Sequence, residues 1–241
     1  MSTVGSTAGL ETFDSLNIEY EHAYRNNPFK TACIEKAISL LPPQCRVLDV
    51  GCGTGVPVSQ MLSEAGLEVH GFDIAPKMVE LASNRVKGSF VVSDMVTYQP
   101  EGQFAAVFMI FAHLQMHYAE FHAACLKFAR TLQPGGLFVI GQMPSDRYVS
   151  GDSSAYEGGT CYVEDYNAPF MGEPLPTFMM SGEGQREFVQ SMGFEILSET
   201  IDPFQPDNPK CEPEDQQYII ARRLESVEIS PPKPLPKAKR D

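Results

Sequence analysis

The chain has 241 residues, 43% of them hydrophobic, which suits one α/β domain with a large core. Its formal charge of −13 opposes nucleic-acid binding, because neutralising phosphates takes clustered Lys and Arg. Six cysteines without a C-x-x-C pair argue against a disulfide framework in a chain of this length.

The opening M-S-T-V-G-S-T-A-G has neither a basic n-region nor an apolar h-region. No apolar run approaches the roughly 20 residues of a membrane span. The expectation is a soluble, cytoplasmic monomer or homodimer that meets a small molecule and neither nucleic acid nor membrane. Residues 1–12 are small and polar and read as disordered. A helix is predicted from Asp14, with Asp14 or Ser15 as its cap, to Asn26-Asn27-Pro28. A second carries Ile34, Ala37, Ile38 and Leu41 at helical spacing and stops at Pro42-Pro43.

Strands and helices then alternate: strand 46–50, helix 56–65 closed by Gly66, strand 68–73, helix from Pro76 to Gly88, strand 89–92. Residues 104–111 are almost continuously apolar, as a strand buried on both faces would be. Phe121, Cys125, Phe128 and Leu132 mark the buried face of the next helix, and 137–141 is the fifth strand. Residues 193–197 and 217–221 read as two more strands. This alternation predicts a Rossmann-like sheet, mostly parallel, with helices on both faces and ligands at the carboxyl ends of the strands. The main domain is placed at 13–224. Within it, 144–180 is rich in Gly, Pro and aromatics without a clear period and reads as a substrate lid. Residues 225–241, rich in Pro and Lys, read as a disordered tail.

The most informative segment is Val47-Leu48-Asp49-Val50-Gly51-Cys52-Gly53-Thr54-Gly55, an apolar strand running into an acid and three alternate glycines. Its G-x-G-x-G spacing lacks the third position of the dinucleotide fingerprint, and Asp49 would repel a pyrophosphate. A ligand with a cationic end fits better, and S-adenosylmethionine carries both an ammonium and a sulfonium. The segment resembles the first motif of class I S-adenosylmethionine-dependent methyltransferases, in the small-molecule branch of ubiquinone-type and fungal secondary-metabolite enzymes. The resemblance continues through Gly71-Phe72-Asp73-Ile74-Ala75-Pro76-Lys77-Met78, Ser93-Asp94-Met95 and Leu132-Gln133-Pro134-Gly135-Gly136-Leu137. It departs at Phe104-Ala105, where the family usually has Phe-Asp.

The resemblance implies a seven-stranded methyltransferase sheet ending in an antiparallel pair, with S-adenosylmethionine as cofactor. Asp49, Gly51, Cys52, Gly53 and Gly55 would hold its methionine end, and Asp73 would accept from both ribose hydroxyls. Ile74 and Met78 would pack near the adenine, Asp94 would accept from its amino group, and Met95 would supply a backbone N–H. Tyr20 and Tyr24, four apart on one helix face, would close over the cofactor or line the substrate pocket. Tyr156, Tyr162, Tyr166, Phe170 and Phe178 would wall an apolar pocket. His113 and His117 follow the buried fourth strand and are the candidate bases; structural histidines are the alternative for each. The H-x-x-x-H spacing with His122 also permits a metal, but no acid or Cys joins it, so none is expected. The implied reaction is methylation of an O or N atom of a small, largely apolar metabolite. Quinone-type C-methylation and a cofactor-binding regulator without turnover are the alternatives.

Overall fold

The computed structural model describes residues 4–5, 7–149 and 159–238. Its first helices are α1 (Leu10–Tyr24) and α2 (Pro28–Ser39). The alternating core follows: β1 (Arg46–Val50), α3 (Val58–Glu64), β2 (Glu68–Asp73), α4 (Pro76–Arg85), β3 (Ser89–Val92), β4 (Phe104–Ile110), α5 (Tyr118–Arg130) and β5 (Leu132–Gln142). Then come α6 (Asp146–Val149), β6 (Tyr162–Phe170), β7 (Glu173–Met180), α7 (Gly182–Ser191), β8 (Phe194–Phe204) and β9 (Glu214–Arg223). The main sheet has the order β3-β2-β1-β4-β5-β9-β8. β9 is antiparallel to both neighbours, so it runs against the other six strands. The seven-stranded, mostly parallel fold expected from the sequence is what forms.

Burial on both faces follows from the period of two along each strand. Leu48, Val107, Phe138 and Ile219 pack with Phe121 and Phe128 of α5 and Phe188 of α7. Their neighbours Val47, Phe108, Val139 and Ile220 pack on the other face with Ile34 and Ala37 of α2 and Leu62 of α3. Asn27 starts α2, its Oδ1 accepting the Phe29 and Lys30 N–H groups at 3.0 Å each, with Pro28 in the first turn.

Four expectations need correction. α1 begins at Leu10 rather than Asp14 and bends at Asn17 (φ 20°, ψ −90°). Asp14 sits inside it and accepts the Lys77 N–H at 2.9 Å, tying α1 to α4. Two described residues before Thr12 are not free: Val4 is buried, and the Gly5 N–H donates to the Gln115 carbonyl at 2.7 Å. Within 144–180, β6 and β7 form an antiparallel hairpin. A register shift between Val163 and Tyr166, with positive φ at Asp165 and Met171, hides the strand period.

The last correction is the tail. Ile229 and Leu235 are buried in the core beside α5 and α7. Tyr162 donates its N–H to the Pro236 carbonyl at 3.0 Å and accepts from the Ala238 N–H at 2.7 Å. Lys237 pairs with Glu164 at 2.6 Å, and His122 donates to the Pro232 carbonyl at 2.7 Å. Composition misled here because two apolar side chains and a run of backbone bonds suffice to dock an extended strap. Among the described residues, no helix is long and apolar enough to cross a membrane.

Candidate active site

At the carboxyl edge of β1, β2 and β4 lies a cavity to which Gly51 and Gly53 contribute bare backbone. Gly51 takes φ +68°, and a Cβ there would stand 2.4 Å from the Ala112 methyl. Only glycine lets the turn pass beneath the loop after β4. Gly53 takes φ +54°, and a Cβ on it would meet nothing within 4 Å, so bare backbone faces open space. Asp73 ends β2, its Oδ2 accepting the Gly53 N–H and its Oδ1 the Ala75 N–H, both at 2.9 Å. Two amides fix the carboxylate, and each oxygen keeps a lone pair for a ligand. Burial raises its pKa, and the amide bonds oppose that rise. Ile74, Met78, Ser93 and Met95 continue the wall, and Phe13 and Tyr20 of α1 complete it.

A second cavity adjoins the first and shares Phe13, Tyr20, Phe111 and Gln115 with it. Phe111, just past β4, has φ 57°, a left-handed backbone that costs about 1–2 kcal/mol for a residue with a Cβ. It is held there by its N–H donating to the Gly141 carbonyl at 2.9 Å and by edge-on packing against Tyr218. The remaining wall is aromatic: Tyr20 and Tyr24 have ring centroids 4.9 Å apart, and Phe170 lies 5.8 Å from Tyr20. One end is polar. Glu214, at the start of β9, is buried, its Oε2 taking the Tyr24 hydroxyl at 3.2 Å and its Oε1 the Gln216 amide at 2.6 Å. The Gln216 oxygen in turn accepts from the Asn27 amide and the Tyr218 hydroxyl, each at 2.5 Å.

Lys30, in the first turn of α2, is buried, with its Nζ 5.4 Å from the centre of the Phe111 ring. Burial pulls its pKa down to about 8, and the charges of Glu214 and Asp49 oppose that fall.

The structure brings together Tyr20, Gly51, Gly53, Asp73, Ile74, Met78 and Met95 around the first cavity, and Tyr24 and Phe170 around the second. It sets others apart. Asp49 lies beneath the loop, 2% exposed, accepting the Ser59 hydroxyl at 2.6 Å; burial pushes it up to about 7. It therefore braces the turn rather than lining the cavity. Cys52 is buried, and Gly55 backs onto α4, where a Cβ would meet Val86 at 3.0 Å. Asp94 sits between the lining residues Ser93 and Met95 but turns its Oδ1 to the Val96 N–H at 2.7 Å, capping its own loop.

The candidate bases are corrected as well. His113 is fully buried, its ring 4.5 Å from Phe121, and both its nitrogens lack a partner among the described residues. Burial drives its pKa down to about 3. His117 is exposed at the start of α5, its N–H donating to Glu120 at 3.1 Å. Neither lines either cavity. Tyr162 stacks on Tyr118 at 3.9 Å under the strap, Tyr166 donates to the Tyr148 carbonyl, and Phe178 is core. Tyr156 lies outside the described residues.

Sequence reasoning missed Phe13, Lys30, Gln115, Glu214 and Gln216. A signal existed for two of them. Glu214, Gln216 and Tyr218 alternate along β9, so polar groups occupy one face of a buried strand. Because β9 runs against the others, its first residues reach the edge where the parallel strands end.

Residues 47–136 match the family model described as a methyltransferase domain. The demethylmenaquinone methyltransferase of Tropheryma whipplei is 28% identical over 144 residues, covering 50% of this chain and 59% of that one. The ubiquinone biosynthesis O-methyltransferase of Xanthomonas campestris pv. campestris is 28% identical over 185 residues, covering 70% and 74%. This chain thus spans about three fifths of the length of the first curated relatives it matches. The crystal structure of magnesium protoporphyrin IX methyltransferase from Synechocystis PCC 6803 with bound SAH superposes with a TM-score of 0.61. It is 16% identical, with 90% of this chain and 99% of that one covered, a likeness of fold.

Proposed function

We propose that this chain, which carries a methyltransferase domain at residues 47–136, transfers a methyl group from S-adenosylmethionine to an O or N atom of a small, largely apolar metabolite. The observation that carries the reading is the pairing of two adjoining cavities. One is floored by the Gly51 and Gly53 backbone with Asp73 fixed by two amides; the other is aromatic. The open space at Gly53 and the spare lone pairs of Asp73 suit a ribose and an amino-acid chain lying along the loop.

When bound, the cofactor supplies an electrophilic methyl group on a sulfonium. The chain's share is alignment and exclusion of water, since an in-line displacement gains most from a fixed approach. Asp73 anchors the sugar, Met78, Ile74 and Met95 wall the base, and the shared Tyr20 and Phe111 separate the two ligands' bulk from solvent. The heteroatom acceptor is favoured over a ring carbon by the buried hydrogen-bonding groups Glu214, Tyr24 and Gln216 at the second cavity.

Calorimetry with S-adenosylhomocysteine tests the reading. Hydrogen bonds to a charged acceptor contribute about 1.5–3 kcal/mol each, so Asp73→Ala should weaken affinity at least tenfold. An unchanged dissociation constant in a folded variant sinks the ribose assignment. Incubation with labelled cofactor and a panel of phenols, amines and quinols, read by mass shift, identifies the acceptor atom.

A further inference from the structure

Among the described residues that line the second cavity, one is charged: Glu214. It is 6% exposed, and it lines that cavity without reaching the first. Taking a carboxyl group out of water raises its pKa, and two neutral donors and the charges of Lys30 and Arg147 oppose that rise. One of these donors is itself fixed. The Gln216 amide cannot turn over, because its oxygen already accepts from Asn27 and Tyr218, and Asn27 is held as the cap of α2. The acid is therefore presented in one orientation, as an acceptor, at the polar end of an aromatic slot.

Resting on the reading of this cavity as the acceptor site, we propose that Glu214 selects the substrate. The aromatic wall of Tyr20, Tyr24, Phe111 and Phe170 takes a planar, largely apolar ring, and Glu214 receives a hydroxyl or amine hydrogen carried by that ring. A site built to bond such a hydrogen rejects an analogue lacking it, because the buried polar group is then left unpaired.

The test uses the full chain saturated with S-adenosylhomocysteine and two probes, 4-methylphenol and toluene, titrated by NMR. Plain transfer from water favours toluene, so a preference for the phenol reports a specific bond. The wild-type chain should bind 4-methylphenol at least tenfold more tightly than toluene. Glu214→Gln should shrink that preference to within about threefold while leaving S-adenosylhomocysteine affinity within twofold. It should fold, because the Tyr24 hydroxyl can turn to accept from the new amide. Leu175→Trp, which adds bulk to the slot from β7, should weaken both probes at least tenfold, and the wild-type preference for the phenol remains the test if Glu214→Gln does not fold.

Equal affinities in the wild-type chain, no phenol binding at millimolar concentration, a preference that survives Glu214→Gln, or probes indifferent to Leu175→Trp would each overturn the proposal. If the wild-type chain fails to bind S-adenosylhomocysteine, the methyltransferase reading falls with it. If it binds and the phenol preference is absent, only the role of Glu214 falls.

Discussion

The two cavities meet at Tyr20 and Phe111 but are built by different means. The first has side-chain walls but a floor of main chain: two glycines at positive φ, beside a carboxylate whose geometry two amides dictate. The second is made of side chains delivered by α1, the end of β4, the hairpin and β9. Backbone is the same in every sequence that makes the turn, so the first cavity suits a ligand that does not change. Side chains vary freely, so the second suits a ligand that does. The division also separates what holds each cavity in place. The first hangs on the central strands, whereas the second depends on a hairpin outside the main sheet, braced by the strap at 229–238.

The bracing gives the largest expected effect. Ile229→Ala with Leu235→Ala removes two buried side chains, and such truncations cost about 2–5 kcal/mol each. Chemical denaturation should show a loss of about 4–10 kcal/mol; a loss under 1 kcal/mol would mean that the strap adds no support. Next comes Gly51→Val, which puts a β-branched side chain at φ +68° and against Ala112. S-adenosylhomocysteine affinity should fall at least hundredfold by calorimetry, while Leu175→Ala in the other cavity keeps it within twofold. Equal responses would erase the distinction between backbone-built and side-chain-built walls.

The smallest effect concerns His113, which lies in the core behind both. Its folded pKa is about 3, against an ordinary value of 6.5. Between those values the unfolded chain binds a proton that the folded chain does not, so this residue makes stability fall as pH falls from 6.5 towards 3. The contribution is at most about 1.4 kcal/mol per pH unit. Asp49, raised to about 7, acts oppositely: its share is present at low pH and lost as pH rises towards 7. The difference between wild type and His113→Leu cancels Asp49 and isolates the histidine. It should grow steadily below pH 6.5 in favour of the variant, and a flat difference would show that the imidazole is not held neutral. Above pH 7 the variant should be neutral to slightly stabilised, since both unpartnered nitrogens are gone.

The first cavity was legible because its parts are contiguous. Gly51, Gly53, Asp73 and Met95 each follow a strand whose apolar run can be read locally, and the sheet then aligns them. The second was legible only in Tyr24 and Phe170, because Phe13, Gln115 and Glu214 are joined to them only by the tertiary fold. Glu214 lies 99 positions from Gln115 in sequence and reaches it because β9 reverses direction. The histidines misled for a related reason. Placing His113 after a strand end fixes its height in the fold, but not which way the loop turns its ring. The strap escaped notice because a mean over Pro and Lys hides two apolar anchors.

The wall shared by the two cavities has a thermodynamic corollary. Phe13, Tyr20, Phe111 and Gln115 belong to both, so a ligand that orders them on one side lowers the entropy cost on the other. Any such linkage is reciprocal: whatever factor a ligand in the first cavity lends to one in the second, the second must return to the first.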